Sequence, residues 1–181
     1  KITSCYNEIA GVQLKWKAVS GAKSYYVYRK TPSSTKWTKI KTVSGTECID
    51  ASVGNNKVYQ YTVEAKLSSG VTGYNSTKEC RFIETPDLTG LENTSSGIKV
   101  KWNKVSGATY YRIYRRGAGS SNWTYLGQVP ASKAAYTDTK VKKGEYYRYS
   151  VRASYVGKDS KGKAYTIYSG LDTNGLYTKR S

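Results

Sequence analysis

Histidine is missing from this 181-residue chain. Its absence removes the commonest general base and every Ser-His-Asp or Cys-His arrangement. Carboxylates are scarce: 12 Asp and Glu stand against 30 Lys and Arg, a net charge of +18. Three cysteines are an odd number and make a poor disulfide framework. With no His and no close Cys pair, a metal site is not expected. No apolar run approaches 18 residues, so no helix of the chain would span a membrane. No helix-period stripe is present either. Gly117-Ala118-Gly119 falls in a predicted hairpin, not between a strand and a helix, so it is no phosphate loop. Nothing marks a carboxylate pair for sugar hydrolysis. The sequence thus predicts no catalytic residues, no metal and no cofactor.

What the chain has is one module written twice. Gly11 to Val43 aligns with Gly97 to Val129 at an offset of 86 without a gap, with 14 of 33 positions identical. The match resumes at an offset of 88, where Tyr59-Gln60-Tyr61-Thr62-Val63-Glu64-Ala65 faces Tyr147-Arg148-Tyr149-Ser150-Val151-Arg152-Ala153. A repeat near 90 residues is the size of a small whole domain, too long for a solenoid unit. The predicted domains are 1–85 and 86–181, with Thr85-Pro86-Asp87 at the boundary. So short a linker predicts limited bending between modules. The chain begins inside a predicted first strand and ends soon after the last, and reads as a piece of a longer protein.

Apolar and polar residues alternate with period two throughout. In the first module the pattern predicts strands at 2–6, 11–17, 25–30, 36–41, 47–50, 58–66 and 72–82. In the second it predicts 88–92, 97–103, 109–116, 122–127, 134–138, 146–155 and 163–171. Turn signals such as Ser20-Gly21, Ser106-Gly107 and Lys143-Gly144 separate them. Seven short, evenly spaced strands per repeat argue for a β-sandwich. The stretch from Val156 to Lys163 predicts a longer, mobile final hairpin loop in the second module. Nineteen Tyr and four Trp against one Phe suit thin sandwiches with many half-buried positions.

Cys5, Cys48 and Cys80 all lie in the first module, and Cys5 and Cys48 align with the core positions Leu91 and Tyr136. They read as small buried apolar residues, with a Cys5–Cys48 bridge left open. Asp50 and Asp138 are equivalent by the repeat and sit where an Asp bonds local backbone amides. Asn75, Asn93 and Asn122 begin Asn-x-Ser/Thr triplets, weak signals in a chain so rich in Ser and Thr.

Several motifs then agree in order. Trp16 and Trp102 precede Ser20-Gly21-Ala22 and Ser106-Gly107-Ala108. Next come Tyr25, Val27, Tyr28, Arg29 and Tyr111, Ile113, Tyr114, Arg115. Tyr59, Tyr61, Val63, Ala65 and their partners Tyr147, Tyr149, Val151, Ala153 complete the pattern. In these features each repeat resembles a fibronectin type III domain, in the form common in surface proteins and secreted enzymes of Gram-positive bacteria. The resemblance implies an all-β chain of two tandem seven-stranded immunoglobulin-like β-sandwiches. Val53 and Val141 precede Tyr59 and Tyr147 by six, which looks like the family's tyrosine corner, whose hydroxyl bonds back to the chain. An extracellular or cell-surface location follows from the same resemblance. The Arg-Gly-Asp of integrin ligands is absent.

A binding surface, if present, would lie on the outer sheet faces. If Tyr25 and Val27 point inward, Tyr26 and Tyr28 point outward. In the second module Tyr110, Arg112, Tyr114 and Arg116 point out, joined by Arg148, Ser150 and Arg152 from the sixth strand. Trp37 and Trp123, on the predicted fourth strand, would border these faces. Exposed rings stack on sugars, and Arg forks match sulfate, phosphate or carboxylate. The competing reading is packing of Tyr, Trp and Arg on each other. Residues 1–85 carry 13 basic and 6 acidic side chains, a net +7; residues 86–181 carry 17 and 6, a net +11. This field favours polysaccharide, teichoic acid or other anionic polymers, while no specific nucleic-acid motif is present. Of these readings, a non-catalytic spacer between other domains of a parent protein leads, and an adhesin or carbohydrate-binding module follows. Fold alone does not choose between them.

Overall fold

A computed structural model describes residues 1–73, 76–159 and 161–181. The chain divides into two compact units, Lys1–Phe82 and Ile83–Ser181. This division lies three residues before the expected boundary, because Ile83 is fully buried in the second core while Phe82 belongs to the first.

In the first unit, β1 (Ile2–Glu8), β2 (Gly11–Trp16) and β5 (Glu47–Asp50) form one antiparallel sheet in the order β1-β2-β5. The second sheet has β4 (Thr38–Val43), β3 (Ser24–Lys30), β6 (Val58–Leu67) and β7 (Gly70–Val71) in that order, and β8 (Lys78–Arg81) also pairs with β6. The second unit repeats the plan. β9 (Leu88–Thr94), β10 (Gly97–Trp102) and β13 (Ala135–Asp138) make one sheet. β12 (Thr124–Pro130), β11 (Tyr110–Gly117), β14 (Tyr146–Lys158) and β15 (Ala164–Tyr168) make the other, with β16 (Leu176–Lys179) also on β14. Each unit is a β-sandwich, and the described residues are all β with no helix.

Period-two alternation builds each core, since every second side chain of facing strands turns inward. Val12, Leu14 and Trp16 meet Tyr25, Val27, Tyr61 and Ala65 in the first unit. Ile98, Val100 and Trp102 meet Tyr111, Ile113, Tyr149, Val151 and Ala153 in the second. The Trp16 ring stands edge-on to Tyr25 at 5.6 Å and Trp102 to Tyr111 at 5.4 Å. The expected tyrosine corners are present. The Gly54 N–H donates to Tyr59 Oη at 2.9 Å and the Lys142 N–H to Tyr147 Oη at 3.0 Å. Gly11 and Gly97 are a forced repeat: with φ of +137° and +158°, an added Cβ would lie 2.1 Å from the Asp50 or Asp138 carbonyl oxygen.

Four expectations change. The last strand of each module is broken into two pieces, β7 with β8 and β15 with β16, and β16 lies beyond the predicted range. In the second unit Gly175 sits at φ +46°, packed against the Tyr149 carbonyl, where the chain returns to the sheet. Residues 74 and 75, including the Asn75 triplet and part of predicted strand 72–82, lie outside the described residues. The expected loop from Val156 to Lys163 is shorter than predicted: β14 runs to Lys158, so Val156, Gly157 and Lys158 join the ladder, and Asp159 Oδ1 accepts the Lys161 and Lys163 N–H groups at 2.9 Å. Residue 160 of that expected loop is outside the described residues. Trp37 and Trp123 do not lie on the fourth strand; they immediately precede it, because the Ser34 and Ser120 turns hold the chain off the sheet until Thr38 and Thr124. Lastly, Leu14 pairs with both Cys5 and Cys48, so β2 separates the two cysteines by about 9–10 Å, beyond disulfide reach.

Candidate functional site

Strands β11 and β14 bring the predicted second-module residues onto one outer face. Arg112 stands opposite Arg152, Tyr114 opposite Ser150, and Arg116 opposite Arg148. Tyr110 stands at the start of β11, between Pro130 and Ser154. In the first module Tyr26 and Tyr28 face Glu64 and Thr62 across β6. All ten predicted residues are half-buried rather than exposed. Ser150, also expected on the outer face, is fully buried, as is Thr62, its equivalent in the first module.

Cations and rings interleave on these faces. Arg112 lies 4.2 Å from the Tyr125 ring centre and 5.1 Å from that of Tyr168. Arg152 lies 5.3 Å from Tyr168, and its Nε–H donates to the Ser169 carbonyl at 2.7 Å. Arg116 covers Trp123 at 5.0 Å, as Lys30 covers Trp37 at 5.1 Å. One pair is exchanged between modules. Tyr26 aligns with Arg112 and Lys39 with Tyr125, and Lys39 lies over Tyr26 at 4.5 Å. The ring comes from the third strand and the cation from the fourth in one module, and the reverse in the other. Such an exchange keeps the cation–ring contact while changing both residues, as expected where intramolecular packing is what the position needs.

Two Arg–Arg pairs nevertheless face each other directly across β11 and β14, which is unfavourable unless neighbours disperse the charge. Among the described residues Arg112, Arg116 and Arg148 form no ion pair. Arg116 and Arg148 donate instead to the carbonyls of Thr173 and Asn174. With Tyr146, Tyr177 and the β11–β12 turn they line an open cleft of about 370 Å³. Tyr177 is 66% exposed, and Arg148 lies 5.1 Å from its ring centre. Tyr168 and Tyr177 become neighbours of the arginines only through the ladders of β15 and β16, while Tyr146 stands two residues before Arg148 on β14 itself. Tyr125 was legible only through its alignment with Lys39.

The buried carboxylates are structural. Asp50 Oδ2 accepts Arg29 Nη1–H at 2.8 Å and Tyr61 Oη–H at 3.0 Å, and its Oδ1 accepts the Ser52 N–H at 3.0 Å. Asp138 does the same with Arg115 at 2.8 Å, Tyr149 at 2.9 Å and the Lys140 N–H at 3.0 Å. The sequence pointed to the backbone bond; the Arg and Tyr partners come from the opposite sheet. Burial, and then the adjacent carboxylate, push the Tyr61 and Tyr149 hydroxyls well above the ordinary tyrosine range. These oxygens are occupied by partners the fold needs. Among the described residues no group of three His, Cys, Asp or Glu could hold a metal ion.

No family model matches the chain. Among solved structures, the chicken CNTN1 FN1–FN3 domains are similar, with a TM-score of 0.47 and 19% identity over 94% of this chain and 66% of that one. The present chain therefore spans just under two thirds of that neighbour's length. The strand order described above, three strands facing four with the last one broken, makes the architecture two tandem antiparallel β-sandwiches.

Proposed function

We propose that this tandem is a non-catalytic structural module that sets the spacing between other domains of a secreted or cell-surface protein, of the Gram-positive kind its motifs resemble. The observation that carries the reading is the junction. Phe82 and Ile83 are consecutive, and each is buried in a different core. No residue is left over between the two cores to act as a free Gly/Ser-type tether, which is the chain arrangement a spacer calls for. The exchanged cation–ring pair supports the same reading, because it assigns the Tyr/Arg faces a packing role.

Backbone ¹⁵N relaxation on the intact chain tests this. A spacer gives both modules one shared rotational correlation time, and a six-residue Gly/Ser insertion between Phe82 and Ile83 splits it into two. Two independent correlation times in the natural chain would sink the reading.

A second reading rests on the cleft of the second module: an adhesin or carbohydrate-binding site for glycans or anionic cell-wall polymers such as teichoic acid. The facing Arg116 and Arg148, with the exposed Tyr177 ring, suit a sugar bearing carboxylate, sulfate or phosphate. Binding that survives physiological salt and is lost in Arg148→Ala would favour it. Uniform collapse of binding with salt would leave only the general positive field.

A further inference from the structure

The first module holds a cysteine pair that its repeat lacks. β1 is an edge of the β1-β2-β5 sheet, β8 is the last strand on the facing sheet, and the two edges are in contact. Cys5 pairs with the fully buried Leu14 and so faces the core. Cys80 pairs with Tyr59, whose ring packs on the same core, and Cys80 itself is buried. Across the gap, Cys80 Sγ lies 4.0 Å from Oδ1 of Asn7, the next inward residue after Cys5 on β1. The neighbouring Cys80 thiol, together with burial, raises the Cys5 thiol, and the neighbouring Cys5 lowers that of Cys80. Cys80 is therefore the better thiolate of the pair.

The second module shows what this position does. Asn93 aligns with Asn7, and there the same edge is held by polar bonds: Asn93 Nδ2–H donates to the Lys179 carbonyl at 2.8 Å, and Asn93 Oδ1 accepts from Arg180 and the Ser181 N–H. Leu91 stands where the first module has Cys5. One module closes its open edge with an Asn-centred network, and the other places two thiols there.

We propose that Cys5 and Cys80 are an oxidation site, forming a disulfide that staples β1 to β8 and closes the edge of the first sandwich. The oxidant is a low-molecular-weight disulfide. The Cys80 thiolate attacks one of its sulfurs and releases the first small thiol. The Cys5 thiolate then attacks the Cys80 sulfur and releases the second. One S–S bond forms in the protein, two S–H bonds are lost, and the two protons and two electrons leave with the reduced small thiols. Cys48 takes no part, because its thiol lies two strands from Cys5 on the same sheet.

The test is to refold the 181-residue chain from denaturant in a mixture of reduced and oxidised glutathione, then block free thiols and map the peptides without reduction. Refolding gives both thiols access to the oxidant before the core closes. The expected product is lighter by two hydrogen atoms, with the peptide containing Cys5 joined to that containing Cys80 and Cys48 blocked as a free thiol. Cys48→Ser should leave the crosslink intact, while Cys5→Ser and Cys80→Ser should each abolish it. Oxidation should raise the melting midpoint of the first module by about 10 °C or more and leave that of the second unchanged. Three free thiols after refolding, separate glutathione adducts on Cys5 and Cys80, or a crosslink involving Cys48 would each overturn the proposal.

Discussion

Asp138→Ala should unravel the second module selectively. Its carboxylate is 2% exposed and receives a guanidinium, a tyrosine hydroxyl and a backbone N–H. Removing it leaves the Tyr149 hydroxyl, on a fully buried residue, without that acceptor, and strips Arg115 of its counter-charge. Breaking a buried ion pair by deleting one partner costs about 3–5 kcal/mol. Arg115 is 19% exposed and keeps the Lys140 carbonyl at 2.6 Å, which places the cost at the low end, about 3 kcal/mol. The assay is amide hydrogen exchange on the intact chain, with the first module as internal reference. The most protected amides of β11 and β14 should exchange about a hundredfold faster, and those of β3 and β6 should not change. Adding Arg115→Met and Tyr149→Phe should recover part of the loss, because the guanidinium and the tyrosine hydroxyl are then no longer left without their acceptor. An effect below about tenfold, or an equal effect on both modules, would refute this account of the triad.

Trp102→Ala removes a ring from the second core and should cost about 3–5 kcal/mol by the same exchange measurement; below about 1 kcal/mol, Trp102 is not a core residue. The exchanged pair predicts coupling: Arg112→Tyr and Tyr125→Lys should each destabilise the second module, and the double variant should recover about 0.5–1 kcal/mol relative to additivity. Alkaline stability follows from Tyr61 and Tyr149. Both are held protonated in the fold, so their contribution is intact below about pH 10, where the unfolded chain also keeps the proton. Above that, the unfolded state gains by ionising, and stability falls by about 1.4 kcal/mol per pH unit for each residue. Denaturant midpoints at pH 9 and pH 11.5 measure this, and Tyr149→Phe should flatten the slope of the second module alone. Burial pushes the Cys48 thiol up to about 11, whereas the neighbouring Cys5 lowers that of Cys80, so Cys48 should react with a thiol reagent at pH 8 more slowly than Cys80. Labelling as fast as that of a free peptide thiol would contradict it.

The sequence by itself determined the number of modules, the fold class and most strand positions. Period-two alternation is a local property, and the internal repeat reports each inward position twice, as Trp16 with Trp102 and Tyr61 with Tyr149 show. It also placed Arg112, Arg116, Arg148 and Arg152 on one face, because facing follows from residue parity once a strand is assigned. Parity cannot say which strands are neighbours or which sheet edges meet. The pairing of Cys5 with Cys80 rather than Cys48, the rings of Tyr168 and Tyr177 beside the arginines, and the Arg and Tyr partners of Asp50 and Asp138 all depend on strand order and on contacts between sheets. The break in the last strand was hidden for a related reason. Its two halves pair with different ends of β14, and the loop between them is held by Arg116 and Arg148, residues 57 and 26 positions before the carbonyls they bond. Such contacts are made between segments remote in sequence, so only the folded chain decides them.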